Sequence, residues 1–293
     1  MSDLNWTLSV GMVPTGDLPE LARAAEAEGW DAISLPDSVF FPEQVSADYP
    51  YSGDGKRMWA PDTDMPDPLV TIAALAAVTE RIRFRVSVLK LPLRDPLLLA
   101  KQVSTLAVLT GERLELGVGL SWMPEEFRFT GTEMRTRGAR TDEAIAILRA
   151  VCPGDGPQWA EFHGKHYDFE RLIISPAPQQ PLPILVGGHT EPALRRAARL
   201  ADGWISANLP AADLPPVIAR LTELRGEEGR ADVPFSVCVS PVGVADAAGF
   251  DELAAAGATD VWLNPWRFHG HAVADRETRL DSVAKFAADF IRR

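Results

Sequence analysis

The sequence predicts a (β/α)8 barrel, that is, a TIM barrel with long insertions at its C-terminal face, built as a single domain over residues 1–293. Three observations carry this expectation. Short apolar runs of strand length alternate with longer runs of helical pattern, and the alternation completes eight times before the chain ends. No linker, low-complexity stretch or fixed repeat divides the chain. Two connections are far longer than ordinary turns, and one follows the second strand, on the face where barrel active sites are built. A doubly wound open sheet is the competing arrangement, and the even count of units running to the last residue favours the barrel.

The elements follow in order. "TLSVGMV" (7–13) reads as the first strand, and "LPELARAAEAEG" (18–29) as an amphipathic helix opened by Asp17 and closed by Gly29. "AISL" (32–35) is the second strand. "PLVTIAALAAV" (68–78) is a helix started by Asp67 and Pro68, since proline suits a first turn. "RFRVSVL" (83–89) is the third strand, followed by the helix "PLLLAKQVSTLAVL" (96–109), stopped by Gly111. "RLELGVG" (113–119) and "TDEAIAILRAV" (141–151) make the fourth unit. The second half places strands at "PILV" (183–186), "GWISA" (203–207), "FSVCV" (235–239) and "DVWLN" (260–264). Its helices are "EPALRRAARLA" (191–201), "PPVIARLTELRGEE" (215–228), "FDELAAAG" (250–257) and "RLDSVAKFAADFIRR" (279–293). The long connections run from Ser38 to about Pro66 and from about Cys152 to Pro183.

Composition narrows the function classes. With 46% hydrophobic and 24% charged residues, a chain of this length can bury a full core without disulfides or metal. The net charge of −12 argues against nucleic acid and anionic membrane surfaces, both of which need basic patches. Cys152 and Cys238 form no spaced framework and read as free thiols in a reducing compartment. "MSDLNWTLSVGM" lacks a basic stretch followed by a long apolar run, and no apolar run reaches membrane length. A cytoplasmic, soluble protein is the expectation.

In "ILVGGHTEPALRRAARLADGW" (184–204) a strand hands over to a basic helix through Gly187 and Gly188. A helix N-terminus presents unpaired N–H groups and favours anions, and glycines let a phosphate approach the backbone. A tight turn that needs glycine is the structural alternative. Arg195, Arg196 and Arg199 lie past the first turn and are expected on the outer face beside acidic neighbours.

Four segments then carry a resemblance: "RIRFRVSVLKLPLRDPLLLAKQVSTLAVLTGERLELGVGLSW" (81–122), "MPEEFRFTG" (123–131), "RTDEAIAILR" and "LPILVGGHTEPALRRAARLADGW" (182–204). Together they span well over half the chain and resemble the bacterial luciferase-like monooxygenase superfamily of flavin and deazaflavin barrels. "FFPEQVSADYPYSGDG" resembles its coenzyme F420-dependent branch. The resemblance implies an oxidoreductase, often a homodimer, with the cofactor over the C-terminal mouth. It implies a bulge on the third strand at Ser87-Val88, often with a non-prolyl cis peptide, supporting the cofactor ring. It also implies a cofactor-contacting pair at the end of the second strand. Here that pair is Asp37 and Ser38, with serine where histidine is common, so titration at this position near neutral pH is not expected.

The candidate cofactor-binding residues are therefore Asp37, Ser38, Ser87, Val88, Gly187, Gly188, His189 and Thr190, with Asp37 and Ser38 also the catalytic candidates. Trp59, Trp122 and Trp266 are the candidate substrate residues, with Tyr51 and Phe40 also in loops near strand ends. Ser121 replaces a glycine the family often has, and Glu125 and Glu126 read as solvated helix-start carboxylates. Lys56, Arg57, Lys90 and Arg94 are candidate cations for an anionic cofactor tail. His163 and His166 read as parts of a surface hairpin. "HGH" (269–271) is a metal suspect without enough partners, so no metal site is assigned.

Three functions stay open at this point. The first is hydride transfer between F420 and a small organic substrate. The second is an FMN-dependent monooxygenase using O2. The third, of a different class, is a metal-dependent hydrolase barrel or a non-catalytic flavin-binding protein.

Overall fold

The computed structural model describes residues 4–292. Its strands are β1 (Asn5–Ser9), β2 (Ala32–Leu35), β3 (Arg83–Lys90), β4 (Leu114–Gly119), β5 (Trp159–His163), β6 (Asp168–Ile173), β7 (Ile184–Gly187), β8 (Gly203–Ile205), β9 (Leu209–Pro210), β10 (Ser236–Val239), β11 (Pro241–Val242) and β12 (Asp260–Leu263). Its helices are α1 (Leu18–Glu28), α2 (Pro68–Ala76), α3 (Pro96–Leu109), α4 (Pro124–Phe129), α5 (Arg137–Val151), α6 (Glu191–Leu200), α7 (Leu214–Glu227), α8 (Ala247–Ala255), α9 (Pro265–Phe268) and α10 (Arg276–Phe286). Eight parallel strands close in the order β1-β2-β3-β4-β7-β8-β10-β12 and back to β1, so the barrel expectation is met. Closure leaves no open sheet edge within the barrel.

Local chemistry explains the helix starts. Asp67 accepts the N–H groups of Leu69 and Val70 at 2.9 and 3.0 Å, and Asp95 those of Leu97 and Leu98 at 3.0 Å each. Such caps contribute about 1 kcal/mol each. Asp17, the expected cap of α1, instead pairs with Arg279 at 2.8 Å and fastens the first helix to the last. The first strand ends at Ser9 rather than Val13, because Met12 turns the chain with φ +64.

The strand pattern divides side chains between two cores. Outward residues such as Trp6, Leu8, Phe84 and Val86 pack against the helices in one large apolar cluster. Inward residues form layers. Lowest is an ionic layer centred on Arg85, which is 1% exposed. Its guanidinium donates to Glu115 at 2.6 Å, Asp260 at 2.8 Å and Thr7 at 3.4 Å. Above it lies a thin apolar layer of Leu185, Ile205 and Cys238, with Val88 and Trp262 partly buried against it. Above that the barrel opens.

The long connections differ in kind. Residues 153–183 carry the antiparallel hairpin β5–β6, with His163 paired to Asp168 at 2.7 Å. The connection between β2 and α2 has no helix or strand and is held by side chains, described below.

Candidate active site

The floor of the mouth is made where β3 bulges. Its register against β4 shifts between Val86 and Leu89, and the Ser87–Val88 peptide is cis, as the resemblance implied. Val88 then projects between two glycines. A Cβ on Gly119 would lie 2.5 Å from Val88 Cγ2, and one on Gly187 2.9 Å from Val88 Cγ1. Both distances are impossible for real side chains, so Gly119 and Gly187 are required by the placing of Val88. Gly188 has a separate reason to be glycine, its φ of +118. The turn after β7 therefore satisfies the structural alternative in full. The backbone N–H groups leading into α6 still form a helix N-terminus, although Pro192 removes one donor and Glu191 places a carboxylate in the first turn.

Two hydroxyls at this level lack partners. Ser87 Oγ is buried with no hydrogen bond, and Ser38, half-buried at the end of β2, makes none among the described residues. Asp37, beside Ser38, is bonded on both oxygens. Its Oδ2 accepts the Lys90 N–H at 2.8 Å and Arg94 Nη1 at 2.7 Å, and its Oδ1 accepts Arg94 Nη2 at 2.9 Å. The carboxylate ties the end of β2 to the end of β3, and three of its about four acceptor positions are used. Lys90 pairs with Glu126, whose other oxygen accepts Ser121 Oγ at 2.5 Å. Two expected cations are thus spent on protein carboxylates. The expectation of solvated helix-start carboxylates also fails, for Glu126 is 0% and Glu125 6% exposed. Glu125 accepts the Ser46 N–H at 3.1 Å and so holds the connection after β2.

That connection covers the mouth with rings. Tyr49 is the hub, with centroid distances of 5.2 Å to Trp59, 5.4 Å to Trp122 and 5.5 Å to Tyr51, all edge-on. Tyr51 meets His189 at 5.8 Å. Trp59, Trp122 and His189 are thereby brought together. Trp266 is not: it is 5% exposed within the main core, because Pro265 starts the short α9 and turns the indole inward. The substrate assignment of Trp266 is corrected to packing.

His189 is oriented by its neighbours. Its Nε2 accepts the Ala207 N–H at 2.9 Å, which leaves the proton of the neutral ring on Nδ1. Burial pushes its pKa down and favours that neutral form. Thr190 is exposed at the N-terminus of α6. The arginines of α6 face acids, as expected: Arg195 pairs with Glu191 at 2.8 Å, Arg199 with Asp142 at 2.9 Å, and Arg196 also with Asp142. His269 is wedged against Phe268 and Phe286 with both ring nitrogens unpaired. No group of three or more potential metal ligands converges among the described residues, and among them no helix is long and apolar enough to cross a membrane.

A parallel barrel whose third strand bulges under a ring-covered mouth defines a luciferase-like barrel. The chain belongs to the luciferase-like monooxygenase family, whose model matches residues 5–257. It is 41% identical over 276 residues to an uncharacterized protein of Mycobacterium tuberculosis, covering 93% of this chain and 94% of that one. It is 28% identical over 195 residues to the F420-dependent glucose-6-phosphate dehydrogenase of Nakamurella multipartita, covering 66% of this chain and 52% of that enzyme. Its fold matches the crystal structure of monooxygenase RslO1 from Streptomyces bottropensis with a TM-score of 0.74, at 16% identity, over 98% of this chain and 99% of that one.

The mouth was only partly legible beforehand. Sequence reasoning missed Tyr49, Gly119 and the Lys90–Glu126 pair. A usable signal for the glycine was present: Gly117 and Gly119 alternate along one strand and so share its inward face.

Proposed function

We propose that the protein is an F420-dependent oxidoreductase that transfers hydride between the deazaflavin and a small organic substrate. The observation that carries this reading is the floor of the mouth, where Val88 is raised between Gly119 and Gly187 and Ser87 Oγ is buried without a partner. A flat ring seated on Val88 would give that hydroxyl the hydrogen bond it lacks, so the residues fit such a group. When bound, the deazaflavin would supply a carbon that gives or takes hydride. The chain's own work is to bind, orient and exclude water. Val88 would set the height of the ring, Ser87 and Ser38 would bond its edge, and the N–H groups after Gly187 would face a phosphate. Hydride transfer depends on face-to-face proximity rather than on a strong base. That suits a mouth in which Ser38 cannot titrate and Asp37 is tied to Arg94.

The F420-dependent relative favours the deazaflavin. The family description and the fold match to a monooxygenase favour a second reading, FMN with O2. Side-by-side fluorescence titration of the purified protein with F420 and FMN separates them. Tight F420 binding with weak FMN binding is the expected result. Preference for FMN would move the protein to the oxygen-using branch, and binding of neither would revive a hydrolase or non-catalytic role.

A homodimer is part of the same proposal. The outer faces of α2 and α3 expose Val70, Leu98 and Leu109, and between them these helices carry one charged residue, Lys101. In a chain of net charge −12, this apolar face, where the capping Asp67 and Asp95 stand at the helix starts, is where a second copy meets least repulsion.

A further inference from the structure

We infer that the substrate is a small uncharged molecule with a flat apolar or aromatic portion, held edge-on by Tyr49, Trp59 and Trp122, and that phosphorylated or carboxylated molecules are rejected. The inference rests on the proposed function in placing the substrate at the barrel mouth beside the cofactor.

The connection that carries Tyr49 and Trp59 has no regular secondary structure, so its ring contacts and a few hydrogen bonds set its position. The Tyr49 N–H donates to Gly55 O at 2.7 Å, and the Ser46 N–H donates to Glu125. From there the rings reach Trp122 after β4 and His189 after β7, so they line the rim across adjacent barrel strands. An edge-to-face pair covers at most one face of one ring, so Trp59 and Trp122 each keep a face that Tyr49 does not cover, and further aromatic pairs add affinity beyond the area they bury.

Charge decides the rest. An anion brought under these rings loses water and needs a cation in return. Lys90 is committed to Glu126 and Arg94 to Asp37. The Arg57 guanidinium lies 3.3 Å over the Phe41 ring and donates through Nη2 to Pro42 O at 3.0 Å; its buried Nη1 has no partner, and its contacts are with Phe41 and Pro42 rather than with the ring cluster. Lys56 is exposed beside Asp54. His189 stays neutral through burial, and burial with the neighbouring Tyr51 pushes the Tyr49 phenol up to about 12. The wall therefore offers ring faces and neutral phenols, which suit a carbonyl or hydroxyl and leave a phosphate uncompensated.

The test uses two probes with one ring, 2-naphthol and 2-naphthyl phosphate, measured by calorimetry against the full-length protein with and without F420. The neutral probe is expected to bind about tenfold tighter or more. Trp122→Ala and Trp59→Ala are each expected to weaken 2-naphthol about three- to tenfold. Using two variants keeps the test sound should one of them unfold, as judged by circular dichroism. Equal or tighter binding of the phosphate, no binding of 2-naphthol, or unchanged 2-naphthol affinity in the folded variants would overturn the inference. Failure of F420 to bind while the naphthol preference persists would overturn the cofactor reading and leave this one standing.

Discussion

At the N-terminal end of the barrel interior, Arg85 meets Glu115, Asp260 and Thr7, and every one of those contacts joins a different strand. At the C-terminal end, the hydroxyls of Ser38 and Ser87 have no hydrogen-bond partner, and Val88 fills the space that side chains at Gly119 and Gly187 would need. The two ends are separated by a thin apolar layer. One end has spent its polar groups on closing the barrel. The other pairs its charged groups with one another and keeps two hydroxyls unpaired. On the proposed function the bottom serves stability and the top serves binding, and substitutions can test that division.

The largest effect is expected at Arg85. Arg85→Met leaves Asp260 without its guanidinium partner and Glu115 with Arg83 alone, in a dry interior. Urea unfolding should show a loss of about 3–5 kcal/mol. A loss under about 1 kcal/mol would mean that the ionic layer is not what holds the bottom closed. Next comes the Val88 slot. Gly187→Ala puts a methyl group 2.9 Å from Val88 and should cost about 1–3 kcal/mol through overpacking. Adding Val88→Ala should recover most of that cost, and an additive double variant would show that the two do not touch.

Ser87→Ala sharpens the contrast in the other direction. It removes a buried hydroxyl without a partner, so stability should stay within about 0.5 kcal/mol or rise. F420 affinity should nonetheless fall about three- to tenfold, the worth of one hydrogen bond. Unchanged affinity would detach Ser87 from the ring edge.

The smallest effect concerns His269, which belongs to neither end. Burial lowers its pKa, as it does that of His189. The folded chain thus disfavours their protonation, while the unfolded chain takes up protons near the ordinary value of about 6.5. Their contribution to stability is complete above that pH and is lost as pH falls through the lowered folded values. His163, raised by Asp168, works in the opposite sense from an exposed hairpin. His269→Phe should reduce the acid slope of the melting temperature and raise its value at pH 7 by about 2–4 °C. A steeper slope would contradict the assignment.

The fold was readable because strand and helix periods are local. "AISL" and "PLLLAKQVSTLAVL" have the boundaries the pattern predicts. The bulge at Ser87-Val88 was readable through the resemblance to a known family, while the residues alone read as an ordinary barrel strand. The mouth was not readable where chemistry depends on partners far along the chain. Asp37 looks like a free acid until Arg94 is seen on it. Glu126 looks solvated until Lys90 is seen beside it. Trp266 follows a barrel strand as a binding residue would, yet the α9 turn sends it into the core. Nothing in the spacing of Tyr49 marks it as the hub of a ring cluster drawn from three barrel connections.

Closure of the barrel also sets an order of events during synthesis. The free edge of β1 pairs with β12, and Asn5 waits for Asp260. At about 5–20 residues per second the ribosome needs on the order of ten to fifty seconds to deliver that partner. Until then β1 presents an unpaired edge, the kind that recruits other chains. Nascent chains stalled before residue 260 should aggregate or bind chaperones, and those released after the last helix should not. The seam between first and last strand is thus the protein's most exposed moment as well as its final bond.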